Sequence, residues 1–234
     1  MLEPITISHL LVLLLPLILV AVIYWKWVGR PAEIGVATGR MVLQLLAVGY
    51  FLAYLFESES PWVGLAVLFF MMAISSWIAM RSTKKRSWQT YRRLLTSIVL
   101  AGSLNLALVV FFVLRLDPWY QLRAMIPIAG MIFSTGMNVV SLCAERYETE
   151  MEGGGDHESA RKAAFRASLI PQVNSFLAVG LVALPGMMTG QILAGVSPLD
   201  AVRYQIMVMC MIMGTAGLAA AIYLCLVRPS KEPS

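Results

Sequence analysis

Seven apolar runs, each close to the length needed to cross a bilayer, take up most of this sequence: Ile7 to Trp25, Ile34 to Phe56, Trp62 to Met80, Leu94 to Leu114, Arg123 to Leu142, Phe165 to Ala183 and Val202 to Val227. A hydrocarbon core about 30 Å thick calls for about 20 apolar residues per helix. The predicted fold class is therefore an all-α polytopic membrane protein of about seven transmembrane helices. Little chain remains between the runs, so residues 1–234 are expected to form a single transmembrane domain.

The charges say which way the helices run. Charged residues make up 13% of the chain, against roughly a quarter in soluble proteins. The formal net charge of +5 is spread over short connections, which is the pattern of a topology determinant and not of a nucleic-acid surface. One set of connections holds Lys26 and Arg30; Arg81, Lys84, Lys85, Arg86, Arg92 and Arg93; Arg146, Arg161, Lys162 and Arg166; and Arg228 and Lys231. The alternate set holds only Arg115, Arg123 and Arg203. Basic loops stay on the cytoplasmic side, so the N-terminus is expected outside and the C-terminus inside. The first run lacks a basic leader and a small-residue cleavage site, and is expected to be a retained span. Cys143, Cys210 and Cys225 show no paired spacing that would suggest a disulfide or zinc.

Pro171 to Pro198 is uncharged and long enough to enter the bilayer, yet it carries Leu184-Pro185-Gly186 midway. Proline removes a backbone donor and glycine loosens the φ limit. A broken or re-entrant segment is therefore expected near residues 184–195. In lipid such a break survives only against protein or a wet cavity, which makes it the expected working element, with an ordinary helical hairpin as the plainer alternative.

Few polar groups lie inside the runs. Arg40 and Gln44 share a face of the second, where snorkelling to the cytoplasmic end is the simple explanation. Gly130, Ser134, Asn138 and Ser141 form a small polar stripe suited to close helix packing, with Asn138 also suited to a polar pathway. The connection Ala144 to Ala164 reads as two short cytoplasmic helices hinged at Gly153-Gly154-Gly155, with Asp156 as N-cap of the second. His157 has no second histidine nearby, and Glu145, Glu148, Glu150 and Glu152 read first as a solvated face. Met207, Met209, Met211 and Met213 carry soft donors, but an i, i+2 series spreads round a helix, so packing is expected of them. His9 and His157, the only histidines, have no companion nucleophile, so no enzymatic activity is expected.

The blocks IPIAGMI, MN and SL in the fifth run, then RASLIP, VGLVALPGMMTGQILAG and SPLDAVRYQIMVM, together resemble the permease subunit of the bacterial iron-export, metal-resistance ABC transporters, a family with plant relatives that confer aluminium tolerance. Gly39, Arg40, Gln44, Leu45, Val48, Gly49 and Tyr50 extend the resemblance back to about residue 34. It implies a permease domain without an ATP site of its own, in keeping with the absence of a GxxxxGK[ST] loop. ATP and Mg²⁺ then belong to a separate ABC ATPase subunit, which works with a homodimer of this chain in the bacterial inner membrane. The chain itself binds no cofactor.

On this basis Asn138, Gln172, Asn174, Thr189 and Gln191 are the candidate transport pathway, and no metal ligands are assigned. Pro185, Gly186 and Gly190 are the candidate conformational residues. Glu145, Arg146, Arg161 and Arg166, in a coupling loop at about 144–166, are the candidate ATPase contact. Family members usually carry a longer segment there with a GAT-type turn, where this chain has GGGDHES. The expected cargo is iron or a related metal; the alternatives are an organic solute, a lipid, a nucleotide sugar, or a non-transporting scaffold for an ATPase.

Overall fold

The computed structural model describes residues 7–29, 32–57, 60–84 and 86–227. Arg30, Lys85, Arg228 and Lys231 of the basic set, and Ser58 and Glu59 of one connection, lie outside the described residues. Residues 1–57 and 58–234 form two compact units.

In the first unit, α1 (Ile7–Val12) leads through Leu13 into α2 (Leu14–Val28), followed by α3 (Ala32–Leu55). Gly29 ends α2 in the left-handed region and its N–H donates to Trp25 O at 2.9 Å. The Tyr24 hydroxyl donates to Glu33 Oε2 at 2.9 Å. Leucines and valines of α2 and α3 are exposed. Arg40 and Gln44 are exposed.

The second unit is a bundle. α4 (Pro61–Ala79) closes on a 3₁₀ turn, Met80–Ser82. α5 (Trp88–Ala107) is capped by Ser87, whose Oγ accepts from Thr90 N, and runs into a π-helical turn, Leu108–Val113. α6 (Leu122–Glu152) packs against α4, α5, α7 (His157–Ala178) and α9 (Pro198–Leu226), with the short α8 (Gly186–Leu193) against α9. The core is Leu94, Ile98 and Ala101 of α5, Ile132, Val139 and Val140 of α6, and Ala216, Ala219 and Ala220 of α9. Small residues let α5 and α9 approach closely: a Cβ on Gly214 would stand 2.8 Å from Asn105 Oδ1.

Among the described residues there is no strand, and six helices are long and apolar enough to cross a membrane: His9–Val28, Ala32–Leu55, Pro61–Ser82, Trp88–Val113, Leu122–Glu152 and Pro198–Leu226. The expected run Phe165 to Ala183 is not one of them. Its helix, α7, starts at His157 and stops at Ala178, with Glu158, Arg161, Lys162 and Arg166 in its first half. Its uncharged part, Ala167 to Ala178, rises only about 18 Å.

Three other local expectations change. The stretch Ala144 to Glu152 is no separate short helix but the uninterrupted end of α6, because nothing in Glu-Arg-Tyr-Glu-Thr-Glu-Met-Glu opposes helix. The break begins at Val179, ahead of Leu184-Pro185-Gly186. The polar stripe on α6 is not a seam within this bundle, since Ser134 and Asn138 are exposed and the hydroxyls of Ser134 and Ser141 donate to carbonyls of their own helix. Asp156 caps α7 as expected, accepting from Glu158 N at 2.9 Å and Ser159 N at 3.0 Å.

Candidate functional site

At Ala178 the chain leaves helix where three of the next four residues, Val179, Gly180 and Val182, have low helix propensity. Gly180 takes a φ of 80°, a conformation that a side chain would strain. Its N–H donates to Ala183 O at 3.0 Å, while the N–H groups of Val182 and Ala183 donate to Ala178 O at 2.8 and 3.1 Å. The turn thus closes on hydrogen bonds of its own. Pro185 then starts α8, with its carbonyl accepting from both the N–H and the hydroxyl of Thr189 at 3.0 and 3.1 Å.

This turn and α8 roof two adjoining cavities against α7 and α9. The larger, about 550 Å³, is lined by Asn174 and Ser175 of α7, Met131 of α6, Met187 of α8 and Gln205 and Met209 of α9, among others. The smaller, about 330 Å³, shares Val179, Pro185, Gln205 and Met209 with it and adds Met188 and Cys210. Among the described residues, no Asp, Glu, Lys, Arg or His lines either one. Gln205 is 6% exposed, and its Oε1 is buried without a hydrogen-bond partner. Such an orphan acceptor costs about 1–3 kcal/mol, so the position is unfavourable in the unliganded bundle.

Of the candidate pathway residues, Asn174 lines the larger cavity, and the candidate conformational residues Pro185 and Gly186 line it too. Asn138, Gln172, Thr189 and Gln191 line neither cavity. Asn138 is exposed on α6, and the Thr189 hydroxyl donates to the Pro185 carbonyl one turn back. Gln191 Oε1 is buried without a partner on α8. Gly190 lies within α8 with open space around its Cα.

The opposite end of the bundle is charged. Lys84 bridges to Glu152 and its N–H donates to Glu148 Oε2 at 2.8 Å, Arg146 pairs with Glu150, and Lys162 with Glu158 at 2.7 Å. The hydrogen bond to Glu152 holds the Lys84 ammonium above its ordinary value. The Ser159 side chain, helped by backbone N–H groups, holds Asp156 below the usual carboxylate range, and Lys162 does the same for Glu158. Glu145, Arg146, Arg161 and Arg166 are exposed here. Tyr147 and His157 share a hydrogen bond of 2.8 Å that pins α6 to α7. No group of three or more His, Cys, Asp or Glu suited to a metal occurs among the described residues.

The family described as "Uncharacterised protein family (UPF0014)" matches residues 6–230. The chain belongs to it. Among UPF0014 relatives, the membrane protein slr1647 of Synechocystis is 36% identical over 86% of this chain and 83% of its own length. The Escherichia coli protein named probable iron export permease protein FetB is 30% identical over 92% and 87%, and the rice membrane protein STAR2 is 32% identical over 88% and 77%. No solved structure matches the chain.

Gln205 and Ser175 are the site residues that sequence reasoning missed. Gln205 is an uncharged amide one turn short of Met209 and two short of Ile212, all on one helical face, and that spacing was the available sign. Met131 and Met187 join Met209 only through the fold, being far apart in the chain.

Proposed function

We propose that this multi-pass UPF0014 protein is the permease subunit of an ABC transporter that exports iron or a related metal across the bacterial inner membrane. A separate ATPase supplies hydrolysis, and two copies of each subunit make the working complex. The observation that carries this reading is the broken segment at Val179 to Pro185, roofing uncharged cavities at the far end of a helix whose near end is exposed and charged. Irregular backbone beside a cavity is how membrane carriers build solute paths. The aligned relative named for iron export supports cargo and direction, and the lack of a Walker A loop supports a separate engine.

The basic end is assigned to the cytoplasm by the positive-inside rule. α7 then carries the chain from that end back to the break, giving a seventh pass with the N-terminus outside and the C-terminus inside. Arg161 and Arg166 of α7, with Glu145 and Arg146 of α6, face the ATPase. Closure of the ATPase pair pushes this hairpin, and α7 transmits the push to Asn174 and the turn at its other end. The absence of any charged side chain among the described residues of the cavity walls favours a second reading of the cargo, an organic solute.

Co-expression with the ABC ATPase of the same transporter tests the assignment. The two subunits are expected to purify together, with hydrolysis changed by the permease. A chain that purifies alone and leaves hydrolysis untouched overturns it.

A further inference from the structure

We propose that the cavities around Gln205 form one binding site for an uncharged, largely apolar molecule that offers an N–H or O–H donor to Gln205 Oε1. The inference rests on the permease reading only in that it names the class of cargo such a site takes.

Volume comes first. The larger cavity, about 550 Å³, lies in the range of about 300–1,000 Å³ usual for small-molecule sites and is far too roomy for a single ion. Charge comes next. With no ionisable wall residue among the described residues except the Cys210 thiol, an ion entering from water would lose its hydration with no opposite charge from these walls to replace it. The walls are otherwise thioethers and aliphatic groups, Met131, Met187, Met188 and Met209 with Val179 and Pro185, and methionine surfaces adapt to varied apolar shapes.

Gln205 supplies the specificity. It is more than nine-tenths buried, lines both cavities, and leaves Oε1 unpartnered. A lipid tail that filled the space would bring no donor and leave that oxygen unpaired. A solute with an N–H or O–H group pairs it once the Gln205 amide turns toward the cavity, and that gain is what separates donor from donor-less molecules. Asn174 and Ser175 on the facing helix offer further polar contacts for the same molecule. Iron crosses this cavity only inside an uncharged complex.

The test uses the full chain in nanodiscs and N-phenyl-1-naphthylamine, an uncharged apolar fluorophore with one N–H, beside 1-phenylnaphthalene, which lacks it. Empty nanodiscs set the lipid background. Saturable binding of the amine is expected, weakened about five- to a hundredfold by Gln205→Leu, with the donor-less compound unaffected by the substitution and aqueous Fe²⁺ displacing neither. Val179→Phe, placed on the exposed turn to fill the cavity, is expected to weaken both compounds, which covers the case in which Gln205→Leu fails to fold. Binding that ignores both substitutions, or displacement by Fe²⁺, overturns the proposal. A chain that fails here yet still drives its ATPase loses this site and keeps the permease assignment; one that binds the amine but engages no ATPase does the reverse.

Discussion

Tyr147 and His157 meet across the α6–α7 turn, the hydroxyl 2.8 Å from Nδ1 and the rings edge to face with centroids 5.8 Å apart. Tyr147 is buried, so this bond closes the hairpin where Gly153 to Gly155 would otherwise let it hinge. Tyr147→Phe keeps the ring and removes the bond, a loss of about 1 kcal/mol. Faster proteolysis at the glycines is expected, with hydrolysis by the partnered ATPase several-fold less responsive to cargo. Unchanged cleavage and response would mean that the hairpin is held by other contacts.

Acid should loosen the same hairpin from its other side. Asp156 is held below its ordinary pKa, chiefly by the Ser159 side chain. A depressed folded-state pKa means that the stabilisation is complete above the unfolded value and is lost as pH falls through the folded one. Hydrogen exchange at Glu158 and Ser159 is therefore expected to stay slow at neutral and mildly acid pH, and to rise only below the usual carboxylate range. Asp156→Asn, which still caps, should abolish that pH dependence.

In the core, Gly214 leaves no space beside Asn105, whose Nδ2 donates to Ala101 O at 2.9 Å. Gly214→Ala puts a methyl group 2.8 Å from Asn105 Oδ1 and should destabilise by about 1–3 kcal/mol. Combining it with Asn105→Ala should recover most of that loss. Additive losses in thermal unfolding would show that the two residues are not in contact.

Arg161 and Arg166 are exposed and make no part of the core. Reversing both to Glu should leave folding intact, with surface substitutions worth about 0.5 kcal/mol or less each, while reducing co-purification of the ATPase at least tenfold. Equal recovery of the complex would move the contact elsewhere.

The helices were legible because a bilayer leaves few options: length and apolarity alone place α2 to α6 and α9. Only the end of α7 was misplaced, because its run of uncharged residues continues through Val179 to Ala183, and the count of apolar residues does not register that β-branched residues and Gly180 turn the chain there. Pro185 and Gly186 begin α8, while the helix before them has already ended at Ala178. Asn174 was legible as a rare amide. The amide of Gln205 stood in an unremarkable span, and its lack of a partner appears only when α7, α8 and α9 are brought together.

The most direct test reconstitutes the chain with its ATPase in vesicles, the ATPase facing outward, and supplies iron both as the aqueous ion and as an uncharged chelate. ATP-dependent accumulation of iron in the lumen, favouring the chelate, requiring this chain and cut several-fold by Gln205→Leu, is the predicted result. Hydrolysis with no iron entering the lumen, or the same entry in vesicles lacking this chain, would contradict it.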